Sequence, residues 1–158
     1  MTATTDPTDL AARIQRLEDR NAISEAVITY ATSIDRGDWD AFASVLTDPV
    51  HIDFSEAGLP AADFARDDFV GFARKGLEVW TTRQHLSPNH VVVLDETDPD
   101  KALCQSYLYA QYHHPDAPVF LMHGSYDNQM VRTADGWKIT ALTQHISWIE
   151  GDPTPPTS

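Results

Sequence analysis

Asp35 stands one turn beyond Tyr30 and two residues before Gly37, where an apolar stripe of Ile23, Val27, Tyr30 and Ile34 runs out. Spacings of four, three and four put those side chains on one helix face. A carboxylate in the last turn of that helix faces the negative end of the helix dipole, which disfavours its charge by roughly 0.3–1 kcal/mol. Two readings follow. In one, Asp35 is a solvated helix-end acid that caps locally with Arg36. In the other, it is held at the mouth of a cavity to orient a histidine.

Seven histidines also invite a metal reading. His51 and Asp53 share a strand face, and His113, His114 and His123 lie near one predicted loop. No HxH, HExxH or Cys/His spacing accompanies them, and neighbouring His113 and His114 diverge on a strand, so no metal site is expected. The single cysteine, Cys104, excludes an internal disulfide and sits in an alternating pattern that reads as core. There is no GxSxG elbow for a serine nucleophile and no Gly-rich loop for phosphates. A net charge of −13 without a basic cluster opposes nucleic-acid and anionic-membrane partners. No apolar run reaches spanning length and no leader precedes the first helix, so a soluble, cytoplasmic protein is expected.

The elements that must position these groups can be read in order. Residues 1–6 are polar and expected to fray. Leu10, Ile14 and Leu17 predict a first amphipathic helix over 7–20, followed by a main helix over 21–36. Gly37 suits the left-handed residue after a helix, and Asp38 an N-cap for a short helix over 39–46. Thr47-Asp48-Pro49 is expected to stop that helix. Alternation predicts a strand over 50–54, a turn at 58–60 and a helix over 63–79. Strands are then expected at 81–86, 89–94, 101–113, 119–133 and 137–150, with a hairpin turn at Ala134-Asp135-Gly136. Helices first and antiparallel strands last describe an α+β domain whose curved sheet closes over the helices and leaves a pocket.

The chain resembles the SnoaL-like members of the nuclear-transport-factor-two-like, or cystatin-like α+β barrel, superfamily. The similarity covers nearly all of residues 8–150. It is carried by SIDRGDWDAFASVLTD (33–48), HIDFS (51–55), TRQHLSPNHVV (82–92), GSYDNQMVRTADGWKI (124–139) and HISWIEGD (145–152). The resemblance implies one α+β domain over 1–150, with N-terminal helices in the concave face of a curved, mostly antiparallel sheet, and a disordered tail over 151–158. The same fold hosts dehydratases, cyclases, isomerases and non-catalytic binders, so it constrains the reaction far less than the architecture.

Within the superfamily the pattern looks closest to scytalone dehydratase, bile-acid dehydratase and hexachlorocyclohexane dehydrochlorinase. Their paired aspartate and histidine fall on Asp35 and His85. A neutral imidazole accepts a proton near pH 7, and a carboxylate on its other nitrogen stabilises the imidazolium that forms. Tyr30 falls where the bile-acid enzyme has a catalytic tyrosine, and equally suits the core stripe. Ser125 and Asp127 fall where scytalone dehydratase lines its pocket with a serine and an asparagine. Its second pocket histidine falls on Tyr112 or His113, which face opposite sides of a strand. Ile34 and Phe54 replace two of its tyrosines, so that enzyme's own substrate is not expected here. Arg132 reads as a solvated strand-end cation rather than an anion binder. The implied activity is a cofactor-independent lyase, isomerase or cyclase acting on a small cyclic, polyketide-like or steroid-like molecule; the alternative is a binding domain without catalysis. Alternating polar and aromatic residues at 106–112 and 145–148 fit a homodimer interface, or that of a trimer.

Overall fold

The computed structural model describes residues 7–154, so the expectation of fraying at 1–6 and the last four residues of the predicted tail lie outside it. Helix α1 (Pro7–Arg36) is one rod of 30 residues, roughly 45 Å long. The expected break between residues 20 and 21 is absent: Asn21 bonds Glu25 along the helix at 2.9 Å, and nothing there competes with the backbone ladder. The inner half buries Asp19, Ile23, Ala26, Val27, Tyr30, Ala31, Ser33 and Ile34, while Leu10, Ile14 and Leu17 of the outer half stay exposed. The helix ends at Gly37, whose φ of +68° is the left-handed value a side chain would strain. Asp38 then accepts the Ala41 N–H and caps α2 (Trp39–Ser44).

Strand β1 (Leu46–Phe54) begins earlier than the sequence suggests. Thr47-Asp48-Pro49 is therefore part of β1 rather than a stop after a helix, and Asp48–Pro49 is cis. Its pairing with the last strand shifts register between Leu46 and His51, the kind of irregular stretch where a residue without an N–H is tolerated. A single turn at 55–57 and Gly58 lead into β2 (Leu59–Phe64), which pairs antiparallel with β1. That pairing takes residues 59–64 from the expected turn and helix, so α3 covers only Arg66–Leu77. Asp67 and Asp68 in its first turn and Arg74 and Lys75 in its last suit the helix dipole.

The remaining strands are β3 (Thr82–Leu86), β4 (Val91–Leu94), β5 (Lys101–His114), β6 (Ala117–Thr133) and β7 (Gly136–Glu150). The order is β2-β1-β7-β6-β5-β3, with β4 also on β5, and every pair is antiparallel except β1–β7. Register shifts at His123/Gly124 and Gln129/Met130 bend the long β6–β7 pair. A Cβ on Gly124 would stand 1.9 Å from the His145 carbonyl oxygen, so the bend requires glycine there. The result is an α+β fold whose curved sheet wraps the buried half of α1 together with α2 and α3. Phe42 and Phe69 join Ile23, Leu46, Ile52, Ile139 and Leu142 in the core. Among the described residues, no helix is long and apolar enough to cross a membrane.

Candidate functional site

The site forms where the C-terminal end of α1 meets β3. His85 and Arg83 lie on the inward face of β3, as period two requires. Arg83 holds the junction: its Nε donates to the Ile34 carbonyl at 3.2 Å, and its Nη1 donates to the Leu77 and Trp80 carbonyls at 2.9 and 3.3 Å. One guanidinium thus serves carbonyls at the ends of both α1 and α3.

Asp35 Oδ1 lies 2.6 Å from His85 Nδ1, and Oδ2 accepts the His85 backbone N–H at 2.9 Å. The imidazole is 4% exposed and the carboxylate 20%. An ionised carboxylate only accepts, so the ring proton resides on Nδ1 and Nε2 carries the lone pair. Tyr112 sits diagonally across β5 and donates its hydroxyl to Nε2 at 2.9 Å. Its ring is fixed between Trp80 and Phe120, with centroids 5.7 and 5.3 Å away. Burial raises the Tyr112 phenol well above its ordinary range, so this hydroxyl remains a donor.

His85 and Tyr112 face a cavity of about 220 Å³ between α1, α3 and the sheet. Ile34, Phe54, Phe69, Phe72 and Met122 supply apolar wall; Tyr30, Tyr126 and Gln144 supply the other polar groups. Burial keeps the Tyr30 phenol far above its usual pKa and pushes that of Tyr126 up to about 12. None of the described lining residues is Lys, Arg, Asp or Glu. A buried base beside neutral hydroxyls in an apolar hollow can accept a proton from an uncharged molecule and polarise an oxygen on it.

The sequence matches the SnoaL-like domain model over residues 15–143. The chain belongs to the SnoaL-like domain family. Solved structures agree on the architecture. The Kfla4162 protein from Kribbella flavida is 31% identical, with 85% of this chain and 95% of that one covered and a TM-score of 0.80. An NTF2-like protein with a cystatin-like fold from Novosphingobium aromaticivorans is 19% identical, with 92% of each chain covered and a TM-score of 0.77. A type 3 hexachlorocyclohexane dehydrochlorinase from Novosphingobium barchaimii is 16% identical, with 88% of this chain and 93% of that one covered and a TM-score of 0.72. No functionally curated protein matches significantly.

In this SnoaL-like domain, His85, Tyr30, Phe54 and Tyr112 line one cavity, while Asp35 lies behind His85 and lines an outer cleft. His113 is absent from that cavity: it lines the outer cleft, to which Arg83 and Tyr112 also contribute, so of the Tyr112–His113 alternative only Tyr112 reaches the cavity. Ser125 and Asp127 also fall outside the cavity, in a groove on the far face with Gln105 and Tyr107. Asp127 there accepts from Gln105 at 2.9 Å and stands 3.6 Å from His145. A sequence match that is right about the strand but off by one position selects the wrong face, because side chains alternate. Tyr126, between them, is the residue that enters the cavity. Gln144, its cross-strand partner on β7, enters with it. The signal for Tyr126 was the inward set Phe120, Met122, Tyr126 and Met130 along β6; nothing local distinguished Gln144.

Arg132 departs from the solvated reading. Its Nη1 and Nη2 grip both Asp19 oxygens at 2.7 and 2.8 Å, its Nε bonds Asp100 at 2.9 Å, and it lies 4.6 Å over the Trp137 ring. It is a tie between α1 and β6, remote from the cavity lining. Among the described residues, no three His, Cys, Asp or Glu side chains are arranged to hold a metal.

Proposed function

We propose that this protein is a cofactor-independent lyase of the dehydratase type, with His85 as base and Asp35 as the group that orients it. The observation that carries the reading is the Asp35–His85 contact of 2.6 Å beside an apolar cavity. An incoming substrate takes the place of the Tyr112 hydroxyl at Nε2. The imidazole accepts a proton from a carbon next to an activating carbonyl; the C–H pair forms an enolate C=C bond as the carbonyl π pair moves onto oxygen, and when the carbonyl re-forms, the enolate pair makes the C=C bond to the neighbouring carbon. A neighbouring hydroxyl departs with its C–O pair and takes the proton back from the imidazolium, leaving as water. Asp35 stabilises the transient imidazolium throughout. The SnoaL-like membership and the fold shared with a dehydrochlorinase support this class of reaction. The substrate class is a small cyclic, polyketide-like or steroid-like molecule.

A second reading uses the same proton transfer but returns the proton to another carbon, giving an isomerase or cyclase. The neutral phenols in the cavity favour it, since they can polarise a carbonyl without expelling a group. We also propose a homodimer through the outer sheet face and a cytoplasmic location.

The test is proton–deuterium exchange across cyclic ketones and hydroxy-ketones, followed by product analysis. Wild type should exchange the carbon-bound proton, and His85→Ala should lose about 10²- to 10⁴-fold of that rate with its melting temperature essentially kept. Exchange that survives in folded His85→Ala would overturn the base assignment. Ligand binding unaffected by the substitution, with exchange absent in both proteins, would identify a binding domain instead.

A further inference from the structure

Tyr30 and Tyr126 line the cavity with His85 but carry no step of the dehydration. Gln144 Nε2 donates to the Met122 sulfur at 3.3 Å and to the Tyr126 hydroxyl oxygen at 3.2 Å. A thioether only accepts, so the amide nitrogen is the end of Gln144 that faces both. Tyr126 therefore accepts from Gln144, and its own proton has no partner among the described residues. Tyr30 is 5% exposed, lines the same cavity, and its hydroxyl likewise has no hydrogen-bond partner among the described residues. The two rings pack edge to face at 6.1 Å, close enough that ionising one phenol would oppose ionising the other. Both stay protonated across the working pH range because burial disfavours the phenolate.

We infer that Tyr30 and Tyr126, the latter oriented by Gln144, form a two-hydroxyl cradle for the carbonyl oxygen of a neutral ketone of one or two rings. Neither hydroxyl is among the fully enclosed side-chain atoms without a partner, so both open onto the cavity, where an acceptor would meet two donors that no described residue uses. The acceptor is uncharged: a carboxylate would be desolvated with no lining cation to compensate it. Size sets the ring count. A protein cavity of about 150 Å³ takes one benzene, so about 220 Å³ takes one substituted ring or two fused rings. A four-ring steroid exceeds it, which narrows the substrate class proposed above.

The inference rests on that proposal only for the fate of the bound carbonyl. When His85 Nε2 takes the adjacent proton, the C–H pair forms the C=C bond and the carbonyl π pair moves onto oxygen. The two phenolic protons then face the developing charge, where preorganised donors are most effective.

Binding of 2-tetralone tests the cradle without requiring turnover. Its affinity is measured by calorimetry, and its carbonyl stretch by infrared difference spectroscopy. In wild type the stretch should fall below its frequency in a hydrocarbon solvent. Tyr126→Phe and Tyr30→Phe should each return part of that shift and raise Kd about five- to tenfold. Tyr107→Phe, on the exposed face, should change neither. Tetralin, tetralin-2-carboxylate and a four-ring steroid ketone should all bind more weakly than 2-tetralone. An unshifted carbonyl, a shift unaffected by both cavity substitutions, or tighter binding of the carboxylate or the steroid would overturn the inference. A shifted carbonyl without proton exchange would uphold the cradle while sinking the lyase reading. Exchange lost in His85→Ala with an unshifted carbonyl would do the reverse.

Discussion

The two oxygens of Asp35 have separate partners, and under the proposed mechanism that division calls for an acid rather than an amide. Oδ2 takes the His85 backbone N–H while Oδ1 takes the ring Nδ1–H. In Asp35→Asn a single oxygen must choose. If it keeps the backbone N–H, the amide nitrogen donates to Nδ1, the ring proton moves to Nε2, and the base is lost. We expect the variant to remain folded, to lose about 10²- to 10⁴-fold in kcat, and to show the exchanged tautomer in the nitrogen spectrum of the imidazole. A full rate with the original tautomer would remove Asp35 from the mechanism. This pair was legible only through the resemblance, which joined Asp35 to His85; the helix-end position of the carboxylate left a solvated acid equally open. The far wall was not legible. Tyr126 and Ser125 differ by one position, and only the register of β6 against β7 decides which enters the cavity.

At the scale of the elements, the Asp19–Arg132 tie fixes the inner half of α1 on the sheet and so holds Asp35 at the rim. The Arg132 hydrogen bonds lower the Asp19 pKa to about 2, against an ordinary value near 3.9. A depressed folded-state value stabilises the protein above pH of about 4, and that contribution, about 2 kcal/mol, disappears as pH falls from about 4 to about 2. Asp19→Asn should therefore cost about 2–3 kcal/mol at pH 7 and flatten the acid limb of stability in urea titrations. An unchanged acid limb would mean that other carboxylates control it. The sequence could not show this tie, whose partners are 113 positions apart. Strand β2 was hidden for a similar reason. LPAADF has weak strand character, and its pairing with Val50, His51, Ile52 and Phe54 of β1 holds it extended. The long strands β5 to β7 were readable because their alternation is local and the Asp135-Gly136 turn marks the hairpin.

For the whole molecule, a net charge of −13 sets the conditions for self-association. Two such chains repel at long range, so a dimer must form through a face with few charges. The outer faces of β5, β6 and β7 provide one. Tyr109, His123 and Trp148 stack there in sequence, with centroids 4.7 and 4.1 Å apart, and Tyr107 and Trp148 are more than half exposed. Val91 and Val93 extend the apolar area along β4. This face lies across the sheet from the cavity, so dimerisation would leave the cavity lining untouched. Light scattering after size exclusion should give twice the 17.6 kDa chain mass. Added salt should strengthen the dimer, because it screens the repulsion between like-charged bodies while leaving apolar contact intact. Trp148→Glu should yield monomers that still bind 2-tetralone with wild-type affinity. A wild-type mass of 17.6 kDa at all salt concentrations would show that the exposed aromatic face serves something other than a second copy of this chain.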